Sequence, residues 1–147
     1  MIQRKQTLFL LAVVLIGFIM LFVPFISYNR TGAYFNLAMI SAINSAEITS
    51  DIYYPFIINA FVIILATIII FLFKNRVLQY KLVNLLAFLN IFVIGSFFLL
   101  DFFTIAVENV SFTFGAFLPV ISAVLAYFAG HFIKKDEEMV RNADRIR

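Results

Sequence analysis

The sequence predicts an all-α integral membrane protein, a bundle of four transmembrane helices with both termini in the cytoplasm and a cytoplasmic C-terminal helix. Three observations predict it. The 147 residues are 64% hydrophobic and only 13% charged, where a soluble domain carries about 45–50% apolar and about 25% charged residues. The apolar residues gather in four runs, Leu8–Ile26, Pro55–Phe73, Leu82–Val107 and Phe112–Ile133, each near the ~20 residues that carry a helix across a bilayer core. The charges between the runs are sorted by side.

The first helix is expected over residues 7–27. A secretory signal has an apolar core of roughly 7–15 residues that ends in a small-residue cleavage site. The run here is longer and passes through Phe22, Pro24 and Phe25 without such a site, so it reads as a retained span. An outer loop then takes residues 28–53. The second helix is expected over 54–73, a cytoplasmic loop over 74–81, the third helix over 82–104, the fourth over 113–133 and a cytoplasmic tail over 134–147. The whole is one membrane domain.

Sidedness follows from the bases. Arg4 and Lys5 precede the first run, Lys74, Arg76 and Lys81 fall between the second and third, and Lys134, Lys135, Arg141, Arg145 and Arg147 follow the fourth. Only Arg30 falls on the other side, against Glu47, Asp51, Asp101 and Glu108. Bases near helix ends are retained in the cytoplasm, which places both termini inside. Tyr28, Tyr34, Tyr53 and Tyr54 cluster at the outer interface, where a ring is buried while its hydroxyl stays wet.

The outer loop contains the apolar stretch AYFNLAMISAI, too short to span. A short interfacial helix and a small strand pair are both compatible with it. In the fourth run Gly115, Ala116, Pro119, Ala123, Ala126 and Gly130 supply small or compact residues at helical spacing. Small residues let helices approach closely in lipid, so this helix is expected either to be the most buried in the bundle or to face a partner subunit, and the bulkier first helix to show more surface to lipid. Pro24 and Pro119 are candidates to kink their helices.

Asn59 and Thr67 lie in the second helix, and Asn84, Asn90 and Ser96 in the third. They read either as a polar pathway or as hydrogen bonds between helices. Asn90 and Asp101 project from nearly one face of the third helix and form the candidate ion or proton site, since an acid in a membrane helix is a functional candidate. Asp101 also reads as an outer-interface residue, about 20 residues past Lys81. His131 reads as an interfacial residue or a pH sensor.

Several classes are excluded or disfavoured. The chain has no cysteine and one histidine, so disulfides, thiol catalysis and multi-His metal sites are out. No cofactor or metal is expected. The runs hold no nucleophile with its base and no paired acids, so no enzyme is expected. The pI near 9.3 does not imply nucleic acid, because the bases sit at membrane boundaries rather than on one patch. The expected partners are the lipid bilayer and a further membrane protein or a second copy. The tail, KKDEEMVRNADRIR, has Glu137 and Arg141 four residues apart and Arg141 and Asp144 three apart, spacings that suit helical ion pairs. It reads as a helix that either docks on a partner or the membrane surface, or is simply solvated.

The start MIQRKQTLFLL, the loop FKNRVLQ, the stretch GAFLP and the ending KKDEEMVRNADRIR resemble the bacterial integral-membrane family called domain of unknown function 4293. The resemblance covers the whole chain and is most specific at the ending, where Asn142 stands in place of an expected small hydroxyl residue. It implies a four-helix inner-membrane protein from a bacterium of the Bacteroidota type, with no activity assigned. Arg4, Arg76, Asp136, Glu137, Arg141, Asp144 and Arg145 are the positions that match its recurrent charged pattern, all on the expected cytoplasmic face. They are the candidate partner-docking residues. The resulting reading is a non-catalytic accessory or assembly subunit of a larger inner-membrane complex, the alternative being a small oligomeric transporter or channel.

Overall fold

The computed structural model describes residues 5–30, 33–39, 53–73, 75–103 and 110–145. Four long helices dominate it: α1 (Lys5–Phe22), α2 (Tyr53–Phe71), α3 (Arg76–Phe103) and α4 (Leu118–Arg145). Each contains a stretch long and apolar enough to cross a membrane. Three short strands, β1 (Ile26–Arg30), β2 (Ala33–Leu37) and β3 (Val110–Phe112), and a 3-10 turn at Phe114–Phe117 complete the described elements.

The helix ends follow local chemistry rather than hydropathy. α1 stops at Phe22, because Pro24 disfavours helical backbone just before it and donates no hydrogen bond. Pro119 lies in the first turn of α4, where a proline's missing donor costs nothing. Neither proline therefore kinks a span, contrary to the sequence expectation. α3 begins at Arg76, ahead of its apolar run. Asn75 accepts a hydrogen bond from the Leu78 backbone N–H at 3.2 Å. A side-chain oxygen in that position caps a helix start. The expected loop 74–81 thus shrinks to a tight turn, and Arg76 and Lys81 become helical. The tail does not turn away, since α4 runs unbroken for 28 residues. At the helical rise its length is about 42 Å.

Helices adjacent in sequence pack on one another, and α4 closes the ring against α1. The inward seams alternate spacings of three and four: Gln6, Leu10, Val13, Gly17 and Met20 on α1, and Gln79, Val83, Leu86, Asn90, Val93 and Phe97 on α3. That alternation is the signature of knobs-into-holes packing at a small crossing angle. Burial is highest in the α4 span at 39% and lowest in α1 at 28%. Outside the seams stand Leu15, Phe18, Phe61, Ile64, Phe88 and Ile91, each about half exposed or more. A soluble protein does not show so much contiguous apolar surface, whereas lipid accepts it.

The sheet adds to the helical fold what the apolar runs did not announce. β1 and β2 form the hairpin that the first outer loop left open as one of two possibilities, pairing Ile26 with Leu37 through Arg30 with Ala33. β1 also pairs antiparallel with β3, Ile26 opposite Phe112, so the strand order is β2-β1-β3. The sheet sits at the end of the bundle opposite both termini.

Candidate docking surface at the termini end

At the end where the chain starts and finishes, long polar side chains reach backbone carbonyls. The Arg76 guanidinium donates to the Asp136 carbonyl at 2.8 Å and is partly buried there. Arg76 opens α3 just after the tight turn, so this bond ties the α2–α3 connection to α4 at the base of the tail. The Gln79 amide, buried one turn further along α3, donates to the Ile69 carbonyl of α2 at 3.0 Å, while its own carbonyl oxygen is buried without a partner among the described residues. Gln6 on α1 is likewise buried, its Oε1 without a partner among the described residues. The Lys5 ammonium stands over the Phe132 ring, 5.9 Å from its centroid, within reach of the ring's negative face. Phe132 in turn stacks on Phe9.

Of the seven candidate docking residues, the structure brings Arg76 and Asp136 together. Asp136 and Glu137 are half-buried, and Arg141 is exposed on the same helix. Asp144 and Arg145 lie in the last turn of α4, but their side chains are outside the described residues, as is Arg4 altogether. Among the described residues Glu137 and Arg141 form no ion pair, although their spacing allows one. Among the described residues no ion pair within the chain engages the charges of Lys134–Arg141. Lys134, Lys135, Glu138, Met139 and Val140 are exposed beside them.

Of the candidate packing residues, Gly115 and Ala116 lie in the 3-10 turn and the other four along α4. Gly115 and Pro119 are buried, as are Ala126 and Gly130, while Ala116 and Ala123 are half-buried. Gly115 lies against the Pro24 carbonyl and Val23, so that a Cβ would collide with backbone. Gly130 faces Val83, Asn84 and Tyr80, letting α4 approach α3.

Asn90 and Asp101 are not brought together. They lie eleven residues apart on α3, about 16 Å along its axis. Asn90 is buried but donates to the Leu86 carbonyl of its own helix at 2.9 Å. Between them Phe97 is buried and stacks on Phe25, with centroids 4.5 Å apart. Asp101 sits in the last turn of α3, and its side chain lies outside the described residues. No group of acids and histidines that could hold a metal ion occurs among the described residues. His131 is exposed.

The polar residues of the spans mostly bond within their own helices. Thr67 donates to the Ile63 carbonyl and Ser96 to that of Val93. Asn59 alone among the five crosses to another helix, donating to the Gly17 carbonyl of α1 at 3.0 Å. Gly17 makes room for it, because a Cβ there would lie 2.6 Å from Ile63. Gln6, Gln79 and the Gly17–Asn59 contact were not singled out from sequence. Their signal was the recurrence of polar or small residues at core positions of the three-four seam.

Four helices that can each cross a bilayer, closed into a ring with an apolar exterior, define a small multi-pass membrane protein. More particularly, residues 2–146 match the family described as "Domain of unknown function (DUF4293)", and the chain belongs to that family. No curated protein matches the chain. No solved structure matches it either.

Proposed function

We propose that this protein is a non-catalytic accessory or assembly subunit of a larger complex in the bacterial inner membrane, threaded with both termini in the cytoplasm. The observation that carries the reading is the Arg76 bond to the Asp136 carbonyl. It supports a tail held at its base as a continuation of α4, presenting the exposed Lys134, Lys135, Glu138 and Arg141 to another molecule. A solvated tail would need no such anchor. The bases gather at the end bearing the termini, which supports the threading.

Deletion of residues 136–147 tests it. The shortened protein is expected to insert normally and to lose a stoichiometric membrane partner that co-purifies with the full chain in mild detergent. Retention of every partner would remove the tail as the docking element. A reporter fused after residue 147 is expected to read cytoplasmic and one inserted near Ser45 external.

A further inference from the structure

At the termini end the bases come before the acids. Lys5 opens α1 and Arg76 opens α3, with no acid in the first turn of either helix. On α4 the order is Lys134, Lys135 and then Asp136, Glu137 and Glu138, so the acids begin only as the chain leaves the bundle. Two of these bases share the groove between α1 and α4. Phe9 of α1 stacks on Phe132 of α4 with centroids 5.4 Å apart, and its ring lies 6.0 Å from that of Phe128. Lys5, one turn before Phe9, holds its ammonium 5.9 Å from the Phe132 centroid. Phe128, Phe132 and Lys135 recur at spacings of four and three, which puts Lys135 on the face of α4 that carries the rings. Both lysines therefore stand on the termini side of one aromatic stack. Both are exposed, as is Phe128, while Phe9 and Phe132 are half-buried. Among the described residues neither ammonium has an ion-pair partner.

We propose that this α1–α4 groove binds an anionic phospholipid, with Lys5 and Lys135 on its phosphate and an acyl chain along the rings of Phe9, Phe128 and Phe132. Charge complementarity names the occupant. Two like charges brought to one groove repel each other, and an anion between them reverses the sign of the interaction. Lysine ammoniums bind phosphate as point charges, and basic sites between helices at a membrane boundary take lipid headgroups. The groove changes from basic to aromatic in the direction of the bilayer centre. A phospholipid changes from anionic to apolar in that same direction, whereas an acidic peptide supplies the charge without the chain. The long lysine stems lie along apolar surface while their charged ends reach the headgroup layer. The site is independent of the tail docking proposed above, because Lys5, Phe132 and Lys135 all precede residue 136.

The test equilibrates the purified chain in neutral detergent with phosphatidylglycerol and phosphatidylcholine of the same acyl chains. Native mass spectrometry then counts the lipid retained per chain. Phosphatidylglycerol is expected to be retained in preference. Lys5→Gln and Lys135→Gln should each lower its retention about fivefold, the factor that one base near an anionic surface supplies. Lys81→Gln removes the same charge from α3, outside the groove, and should leave retention nearly unchanged. Thermal unfolding of the lipid-free lysine variants should match that of the parent chain, which separates lost lipid from lost fold. Deletion of residues 136–147 should leave the lipid in place even where it releases a protein partner. Equal retention of the two lipids overturns the proposal. So does a Lys81→Gln loss as large as that of Lys5→Gln, which would make the attraction one of overall charge. Release of a co-purifying protein by Lys5→Gln, with phosphatidylglycerol retention unchanged, overturns it as well and gives the groove to a protein.

Discussion

The two ends of the bundle are held by different physics. At the sheet end the contacts are apolar and backbone in kind. Phe25 stacks on Phe97, the Thr113 backbone N–H donates to the Phe25 carbonyl at 3.0 Å, and the hydroxyls of Ser27 and Ser111 lie 3.0 Å apart. Near the same end Asn59 bonds Gly17 across α1 and α2. At the termini end the contacts come from long side chains, Arg76 to Asp136 and Gln79 to Ile69, and the buried oxygens of Gln6 and Gln79 lack partners among the described residues. The comparison teaches where rigidity and adaptability lie. Stacked rings and ladder bonds tolerate little displacement, whereas guanidinium and amide arms can re-aim.

Substitutions can break that contrast. The largest effect is expected from Phe97→Ala, which removes a buried ring at the sheet end and should cost about 3–5 kcal/mol, read as detergent-micelle unfolding at lower temperature or denaturant. Gly17→Val should follow at about 1–3 kcal/mol, the usual cost of overpacking, because the new Cβ overlaps Ile63 and displaces the Asn59 bond. Arg76→Ala at the other end should cost at most about 1 kcal/mol of bundle stability. Its clearer expected signature is faster tryptic cleavage within the tail, at Arg141. Gln79→Met should be close to neutral, since it removes the unpartnered oxygen together with the Ile69 bond and keeps the volume. A Gln79→Met loss as large as that of Phe97→Ala would show the termini end to be as unforgiving as the sheet end.

The four helices were legible because lipid demands long apolar runs, and each run holds one of the four spans. Their boundaries were less legible. Hydropathy placed the start of α3 at residue 82, but the Asn75 cap begins it at Arg76. That signal is side-chain hydrogen bonding rather than polarity. The β1–β3 pairing could not be read, because it joins Ser27 to Ser111, which are far apart in the chain. Such a pairing rests on neither local propensity nor periodicity. The buried amides were hard to assign for another reason. Their acceptors are carbonyls of Gly17, Ile69 and Leu86, and every residue has a carbonyl. At the candidate docking surface the charges were visible in sequence, whereas the Arg76 anchor on Asp136 came only with the structure.

The β2-β1-β3 order also sets a timetable for biogenesis. β1 leaves the ribosome long before β3, with the whole of α2 and α3 still to be made. At ~5–20 residues per second, the stretch from Ser27 to Ser111 takes roughly 4–17 s to synthesise. Throughout that interval β1 has its hairpin partner on one edge and an unsatisfied edge on the other, open to capture by any extended chain nearby. The sheet is completed only as α4 arrives, which makes the closing of that edge a late checkpoint of assembly.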